Sequence, residues 1–165
     1  MIKEWPPEDV GDYLDGFVCT RDPDLELFLR NKAVVFEKRD LSRTFLLVDD
    51  DKIVGYMSLS ITILEIKEDW PVSNQLKRSM NVSNNAPTVA FLIGQLCKAD
   101  GVSDKIGPDM IDLAMKMFDG MRKVGGGRVV CVDCKEGLLG FYNKNGFRVV
   151  SKPTEDGLYR MVRLF

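Results

Sequence analysis

The chain has 165 residues, of which 45% are hydrophobic and 29% are charged, and its formal net charge is −2. This length fits one domain over residues 1–165 that buries its own core. The near-neutral net charge argues against a protein that binds nucleic acid over its whole surface. No apolar run is long enough to cross a membrane, and four cysteines are too few for a disulfide framework, so a cytoplasmic location is expected.

The first quarter of the chain carries helical signals, and a pair of strands follows it. Residues 6–10 combine two prolines with acidic residues, which is typical of a helix start. From residue 22 to 38 the apolar positions recur at helical spacing, which predicts an amphipathic helix. Residues 44–48 and 53–61 then read as two strands of a hairpin joined at residues 49–51.

The middle of the chain predicts a long loop, a buried strand and a strong helix. Residues 65–87 are polar and read as a loop with a short helix at 75–80. Residues 88–97 form a nearly continuous apolar run, as in a central strand buried on both faces. Gly107 and Pro108 open the next helix, which ends at residues 125–127. Its predicted inner stripe consists of Ile111, Leu113, Ala114, Met117, Phe118 and Met121.

The last third completes an alternating pattern. It predicts a strand at 128–134, a short helix at 138–145 stopped by Gly146, and strands at 147–151 and 158–164. A strand–helix–strand unit in the middle implies a parallel pair with a right-handed crossover, and hairpins flank it on both sides. The predicted fold class is therefore α/β, with an α+β mixed sheet and helices on both of its faces.

Two segments are candidates for chemistry. A turn from a central strand into a helix N-terminus presents unpaired backbone N–H groups to an anion, and residues 97–108 form such a turn, although a plain connection would look the same. Tyr142 is either a buried core aromatic or a proton donor, because a phenol with a pKa near 10 is matched to a departing thiolate. Cys131 and Cys134 have C-x-x-C spacing, but residues three apart in a strand face opposite sides, so they are interpreted as core thiols and no metal site is predicted.

The segment Gly140-Phe141-Tyr142-Asn143-Lys144-Asn145-Gly146-Phe147 resembles the Phe-Tyr…Gly-Phe motif near the end of GNAT acetyltransferases. The order of elements from Thr44 onward is similar to that family as well. The resemblance extends to the branch that contains the acetyltransferases of toxin–antitoxin pairs. Its motif positions are matched by Phe17-Val18-Cys19, by Leu25, Phe28, Leu29 and Ala33, by Arg43-Thr44-Phe45, and by Gly55-Tyr56-Met57-Ser58-Leu59-Ser60.

The resemblance implies the GNAT fold and the transfer of an acetyl group from acetyl-CoA to a primary amine, which attacks the thioester directly. It implies that Leu96 and Cys97 pair with the pantetheine arm where two strands separate, and that Tyr142 protonates the leaving thiolate. The pyrophosphate would lie on the loop formed by Val102, Ser103, Asp104, Lys105, Ile106 and Gly107. Because the chain has no histidine, the base that deprotonates the amine is expected to be water, Glu65 or Asp133.

The cofactor loop departs from the family pattern of glutamine or arginine, two residues, glycine, one residue, and glycine or alanine. Only Gly107 matches it cleanly, and Val102 or Ser103 stands in the place of the glutamine. Lys105 is expected to compensate as a point charge, whereas Asp104 and Asp109 add negative charge at an anion site.

Alternative functions follow from these departures. One is a GNAT-fold binding module that has lost catalysis, and the other is a toxin that acetylates aminoacyl-tRNA. Gln95 stands where the toxins carry arginine, and the net charge disfavours RNA, so a general amine N-acetyltransferase is preferred. The implied partners are a small-molecule or aminoacyl acceptor, for a toxin also tRNA and an antitoxin, and a second subunit, since dimers are common in similar proteins.

Overall fold

The computed structural model describes residues 11, 13–80, 87–103 and 105–165. They fall into two compact units, Met1–Ser60 with Gly94–Ala114 and Ile61–Ile93 with Met115–Phe165. The predicted helix start at residues 6–10 lies outside the described residues.

The elements follow the predicted order. Helix α1 runs without a break through an α-helical segment Pro23–Leu27, a π-helical segment Phe28–Lys32 and an α-helical segment Ala33–Lys38. Further helices are α2 (Asn74–Met80), α3 (Ile106–Gly125) and α4 (Leu139–Lys144), the last preceded by a 3₁₀ turn at Glu136–Leu138. Residues 11 and 13–15, ahead of α1, are helical as well. The strands are β1 (Arg43–Asp49), β2 (Lys52–Leu64), β3 (Thr88–Lys98), β4 (Val129–Lys135), β5 (Arg148–Val149) and β6 (Leu158–Leu164).

The strands form a six-stranded sheet in the order β1-β2-β3-β4-β6-β5. Strands β3 and β4 are parallel, with Phe91 opposite Val130, and α3 connects them. The β1–β2, β4–β6 and β5–β6 pairs are antiparallel. The predicted mixed sheet, with a parallel pair between two hairpins, is confirmed.

The first unit is built around Tyr56 on β2. Its ring lies parallel to that of Phe28 and edge-on to that of Phe17, with centroids 6.3 and 5.5 Å apart, and its hydroxyl donates to the Leu25 carbonyl at 2.7 Å. The neighbouring Gly55 points to the opposite face, where it meets Met110 of α3. Both faces of β2 are therefore covered in this unit, one by α1 and one by α3.

The second unit is built around β3 and β4. Phe91 stacks on Phe118 of α3, with ring centroids 4.9 Å apart. On the other face, Ala90 belongs to a buried cluster that includes Met80 of α2 and Val129 of β4. Because successive strand residues point to opposite faces, the sheet carries helices on both faces here too.

Several details differ from the sequence-based predictions. In α3, Met110 and Met115 are buried, whereas Leu113 and Met121 of the predicted stripe are 40% and 49% exposed. The helix is apolar around more than half of its circumference, so spacing alone cannot choose between two adjacent stripes. Strand β3 is also not buried on both faces throughout, because Val89 is 60% exposed.

The strand predicted at 147–151 is shorter than expected. It spans only Arg148–Val149. The Val150 N–H still donates to the Arg160 carbonyl at 2.9 Å, but the Arg160 N–H then donates to Ser151 Oγ at 2.7 Å instead of to a backbone carbonyl, and the backbone ladder ends there. In the described part of the chain, no helix combines the length and the apolar character that a membrane crossing requires.

Candidate functional site

The junction between β3 and α3 is held in place by backbone hydrogen bonds from two neighbouring segments. The Ala99 N–H donates to the Val54 carbonyl, and the Asp100 N–H donates to the Val18 carbonyl, each at 2.9 Å. Just before this point Leu96 is half-buried and Cys97 is buried. The two residues expected to contact the pantetheine arm therefore lie just before Lys98, the last residue of β3, and the residues that follow are fixed by bonds to both neighbouring segments.

The loop that follows folds back on itself. The Lys98 ammonium donates to the Val102 carbonyl at 2.6 Å, which closes a tight turn at Gly101. Ser103 then accepts from the Lys105 N–H through its hydroxyl and from the Ile106 N–H through its carbonyl, both at 3.4 Å. These last two bonds are at the long end of the hydrogen-bond range and are correspondingly weak.

Helix α3 begins one residue earlier than the sequence predicted. Ile106 is its first residue, so Gly107 lies inside the first turn and Pro108 follows without an N–H to offer. Lys105 and Ser103 are exposed, and Val102, Ile106 and Gly107 are half-buried. Asp104, the remaining predicted loop residue, lies outside the described residues.

Charge at this junction is of both signs. Asp100 accepts from the Thr20 N–H at 2.9 Å and from the Thr20 hydroxyl at 2.8 Å, and these bonds lower the pKa of its carboxyl below its ordinary value. Arg21 lies 3.9 Å from the same carboxylate. Asp100 is thus engaged in holding the Thr20 segment, while Lys98 and Lys105 supply positive charge on the loop.

Gly55, from the Gly-Tyr-x-x-Leu-Ser motif, has a steric reason to be glycine. A Cβ atom at this position would lie 3.1 Å from the Cys97 carbonyl oxygen and 3.2 Å from Met110 Sδ. The absence of a side chain therefore lets β3 and α3 approach β2 closely beside the predicted pantetheine residues.

Tyr142 is buried, with 4% of its surface exposed, in the short helix α4. The rings of Phe141 and Phe147 lie edge-on to it, with centroids 5.0 and 5.6 Å away. Burial raises the pKa of its phenol well above the ordinary value, and the nearby Cys134 thiol adds to the shift. The group therefore stays protonated at neutral pH, the state that a proton donor requires.

The residues around Tyr142 fix its position. Gly146 adopts a left-handed conformation with φ +83°, as predicted, and its N–H donates to Asn143. The Phe147 N–H donates to the Tyr142 carbonyl at 3.0 Å, and an Arg163 Nη donates to the Asn145 carbonyl at 3.0 Å. Helix α4 thus ends in a satisfied cap, which holds the phenol-bearing turn rigid.

Of the two carboxylates suggested as bases, Asp133 is paired with an arginine and Glu65 is exposed to solvent. Both oxygens of Asp133 accept from the Arg160 guanidinium, at 2.5 and 2.7 Å. Such a bidentate pair occupies the lone pairs that a base needs. Glu65 directly follows β2 and is exposed.

The four cysteines are free and buried. Burial raises the pKa of the Cys131 thiol to about 12 and that of Cys134 to about 11. Cys97 is shifted in the same direction by burial and by its hydrogen bond with Cys19. The interpretation of Cys131 and Cys134 as core residues is confirmed.

Comparisons with known proteins identify the fold. No protein-family model matches the chain, and no curated protein sequence matches it. A structure described as a bacterial toxin aligns with a TM-score of 0.77 at 15% identity, covering 92% of this chain and 82% of that one. AtaT complexed with acetyl-methionyl-tRNAfMet aligns at 0.71 with 19% identity, covering 88% and 85%. AtaTR bound with acetyl-CoA aligns at 0.69 with 21% identity, covering 95% and 90%.

The class of structure is therefore settled: the chain has the fold of the GNAT toxins, as the resemblance of its motifs predicted. Solved structures similar to it include AtaT complexed with acetyl-methionyl-tRNAfMet and an AtaT mutant bound to the C-terminus of the antitoxin AtaR.

Sequence reasoning missed two residues at the β3–α3 junction. The sequence predicts no more than a turn for Lys98 and Asp100. In the structure Lys98 donates to the Val102 carbonyl within the loop, and Asp100 accepts from Thr20. A signal for Lys98 was present, since it is a cation at the end of a strand that leads into an anion-binding turn. Asp100 had no such signal, because its partner is distant in the chain.

Proposed function

We propose that this chain is a single GNAT domain that transfers an acetyl group from acetyl-CoA to a primary amine. The observation that carries the proposal is Tyr142: a protonated, buried phenol in a rigid helical turn directly after a parallel strand, within the Phe-Tyr…Gly-Phe motif of a chain with this fold. The fold is shared with AtaTR, which was solved with acetyl-CoA. The four free thiols support a reducing, cytoplasmic location.

The β3–α3 loop fits a diphosphate with modest changes. The Lys105 and Ile106 N–H groups, bonded at 3.4 Å to Ser103, can exchange these long bonds for phosphate oxygens. The first turn of α3 adds its dipole, and the exposed Lys105 adds a full positive charge. The negative charge of Asp109, in the same first turn, repels a diphosphate. We therefore expect weaker binding than the unaltered family loop provides.

Each residue then has a defined task. Acetyl-CoA, when bound, supplies the acetyl thioester. Leu96 and Cys97 lie near the end of β3 and offer their backbone groups to the pantetheine amides. The close packing at Gly55 holds this part of β3 in place. Tyr142 donates its phenolic proton to the sulfur that leaves as the amine attacks, so that a thiol and not a thiolate departs.

Proton removal from the amine has one remaining side-chain candidate. The carboxylate of Asp133 is occupied by Arg160, so it is unsuited to accept a proton. Glu65 is exposed at the end of β2 and can take the proton directly or through water. We assign this step to Glu65 or to bulk water.

A second candidate function is a toxin that acetylates the amino group of an aminoacyl-tRNA. The observation that favours it is the set of similar structures: AtaT was solved with acetyl-methionyl-tRNAfMet, and also bound to the C-terminus of the antitoxin AtaR. The net charge of −2 and Gln95 oppose it, since RNA binding rests on many cationic contacts. The general amine acetyltransferase is therefore kept as the first proposal.

One experiment separates these functions. The purified chain is incubated with acetyl-CoA and with a polyamine, a lysine peptide or a mixture of aminoacyl-tRNAs, and acetylated products are identified by mass spectrometry. Acetylated polyamine or peptide supports the first proposal, and acetylated aminoacyl-tRNA supports the toxin. Binding of acetyl-CoA without any acetylated product would support the non-catalytic module instead.

A further inference from the structure

Residues 15–20, which we call the 15–20 segment, are bonded to helix α1 on one side. One Nη of Arg30 donates to the Phe17 carbonyl at 2.8 Å, and the other lies 2.9 Å from a carboxylate oxygen of Glu26. The second oxygen of Glu26 accepts from the Cys19 N–H at 2.7 Å. Because the Phe17 side chain is also buried in the core, the segment has a fixed position on α1.

On its other side the same segment is bonded to the β3–α3 loop. The Asp100 N–H donates to the Val18 carbonyl at 2.9 Å. Asp100 Oδ2 accepts from the Thr20 N–H at 2.9 Å and from the Thr20 hydroxyl at 2.8 Å. Asp100 lies inside the turn that Lys98 closes on Val102, where the predicted diphosphate loop begins. The position of that loop therefore depends on this segment and, through it, on α1.

The charge of Asp100 is the opposite of what an anion site favours. Its bonds with Thr20 lower the pKa of the carboxyl, so it is ionised at neutral pH and repels a diphosphate bound two residues further on. Arg21 lies 3.9 Å from this carboxylate in an exposed pair, which contributes little. The hydrogen bonds with Thr20 give a reason for the carboxylate, since an ionised acceptor binds more strongly than a neutral one.

We propose that Asp100 and Arg30 are positioning residues for acetyl-CoA, a role that rests on the proposed function because it concerns the same cofactor loop. Through the 15–20 segment they hold the β3–α3 loop in the shape that receives the diphosphate. A loop already held in its bound shape loses less conformational freedom on binding, and this raises the affinity.

Asp100→Asn and Asp100→Leu separate position from charge. Both substitutions remove the negative charge and have nearly the same shape, but only the amide oxygen of asparagine can replace Oδ2 as the acceptor for Thr20. In calorimetric titration with acetyl-CoA, the dissociation constant should be about fivefold higher in Asp100→Leu than in the unaltered chain. In Asp100→Asn it should be unchanged or lower. Asp100 is exposed, so both variants should fold, which circular dichroism checks.

Arg30→Met tests the α1 end of the connection. It should raise the dissociation constant for acetyl-CoA about threefold in the unaltered chain. It should have little further effect in Asp100→Leu, in which the bonds to Thr20 are already lost. Lys32→Met replaces an exposed cation of the same helix and is the matched control. Full additivity of Arg30→Met and Asp100→Leu would overturn the connection to α1, and the Asp100 variants decide the rest even if Arg30→Met does not fold.

Hydrogen exchange in the free chain gives a second measurement, which needs no cofactor. Peptides that cover residues 98–103 should exchange faster in Asp100→Leu than in Asp100→Asn. Equal exchange in the two variants would show that the loop does not depend on its bonds with Thr20 and would overturn the positioning role.

The titrations distinguish failure of this role from failure of the proposed function. If the unaltered chain binds acetyl-CoA and the two Asp100 variants bind it equally well, the positioning role is overturned and the proposed function stands. Tighter binding by Asp100→Leu than by the unaltered chain has the same meaning. If the unaltered chain does not bind acetyl-CoA, the proposed function is overturned, and the positioning role with it.

Discussion

The ammonium of Lys98 donates to the carbonyl oxygen of Val102 at 2.6 Å and closes the turn between β3 and α3. The same group places a positive charge at the start of the loop proposed to hold a diphosphate. We therefore expect Lys98 to favour cofactor binding in two ways, by fixing the shape of the loop and by attracting the diphosphate.

Replacement of Lys98 by methionine keeps the aliphatic stem and removes the tether and the charge. We expect the dissociation constant for acetyl-CoA to rise about tenfold, since a hydrogen bond from a charged donor contributes more than a neutral one. Calorimetric titration measures the change. Lys116→Met, on an exposed part of α3, is the control and should bind as the parent does.

Removal of the Tyr142 hydroxyl should affect turnover more than binding. In Tyr142→Phe we expect kcat to fall about 100-fold, with acetyl-CoA affinity and Tm nearly unchanged, because a general acid acts in the transition state. Tyr159→Phe, a half-buried tyrosine on β6, is the matched control. Equal turnover in the two variants would remove Tyr142 from the mechanism.

The pH dependence has a definite sign. An acid is active in its protonated form, and burial raises the pKa of Tyr142 above its ordinary value of about 10. The rate should therefore show no alkaline decline from this group up to about pH 10. A decline centred near pH 8 that disappears in Tyr142→Phe would contradict the direction of the shift.

Two strand glycines give a paired test of packing. Gly55→Ala should destabilise the protein by about 1–3 kcal/mol, because the new methyl would press on the Cys97 carbonyl and on Met110. Gly94→Ala meets only the Ser58 carbonyl oxygen at an ordinary 3.6 Å and should be neutral or stabilising by up to about 1 kcal/mol. Urea unfolding of the two variants compares them directly, and the same loss in both would argue against close approach at Gly55.

The thiols should be inert in the folded protein. The raised pKa values of Cys131 and Cys134, about 12 and 11, leave little thiolate at pH 8. A disulfide-exchange reagent should therefore react with the four cysteines only after denaturant is added. Rapid modification of a native thiol at pH 8 would indicate an exposed, reactive cysteine that the structure does not show.

Much of the fold was predictable from the sequence because its elements have strong local patterns. The hairpin β1–β2, the apolar run of β3 and the glycine cap at Gly146 were each predicted from spacing or turn chemistry, and each is confirmed. The stripe of α3 was not, since Leu113 and Met121 fit a helical period as well as Met110 and Met115 do. Which stripe is buried depends on where the sheet lies, and a single helix does not encode that.

The candidate site was predictable in its outline but not in its partners. Tyr142 was identified by its motif, and its burial agrees with either a core or a catalytic role. The pairing of Asp133 with Arg160 could not have been foreseen, because the two residues are 27 positions apart in the sequence and meet only through the pairing of β4 with β6. Such long-range pairs depend on strand order and register, which no local pattern fixes.

The central claim is that this fold binds acetyl-CoA and that its altered loop still functions as a diphosphate site. Calorimetric titration of the full chain with acetyl-CoA tests it most directly, since no acceptor needs to be known. We predict binding of one acetyl-CoA per chain, with a rise in Tm that grows with cofactor concentration. Absence of both heat and Tm shift at millimolar acetyl-CoA would contradict the account.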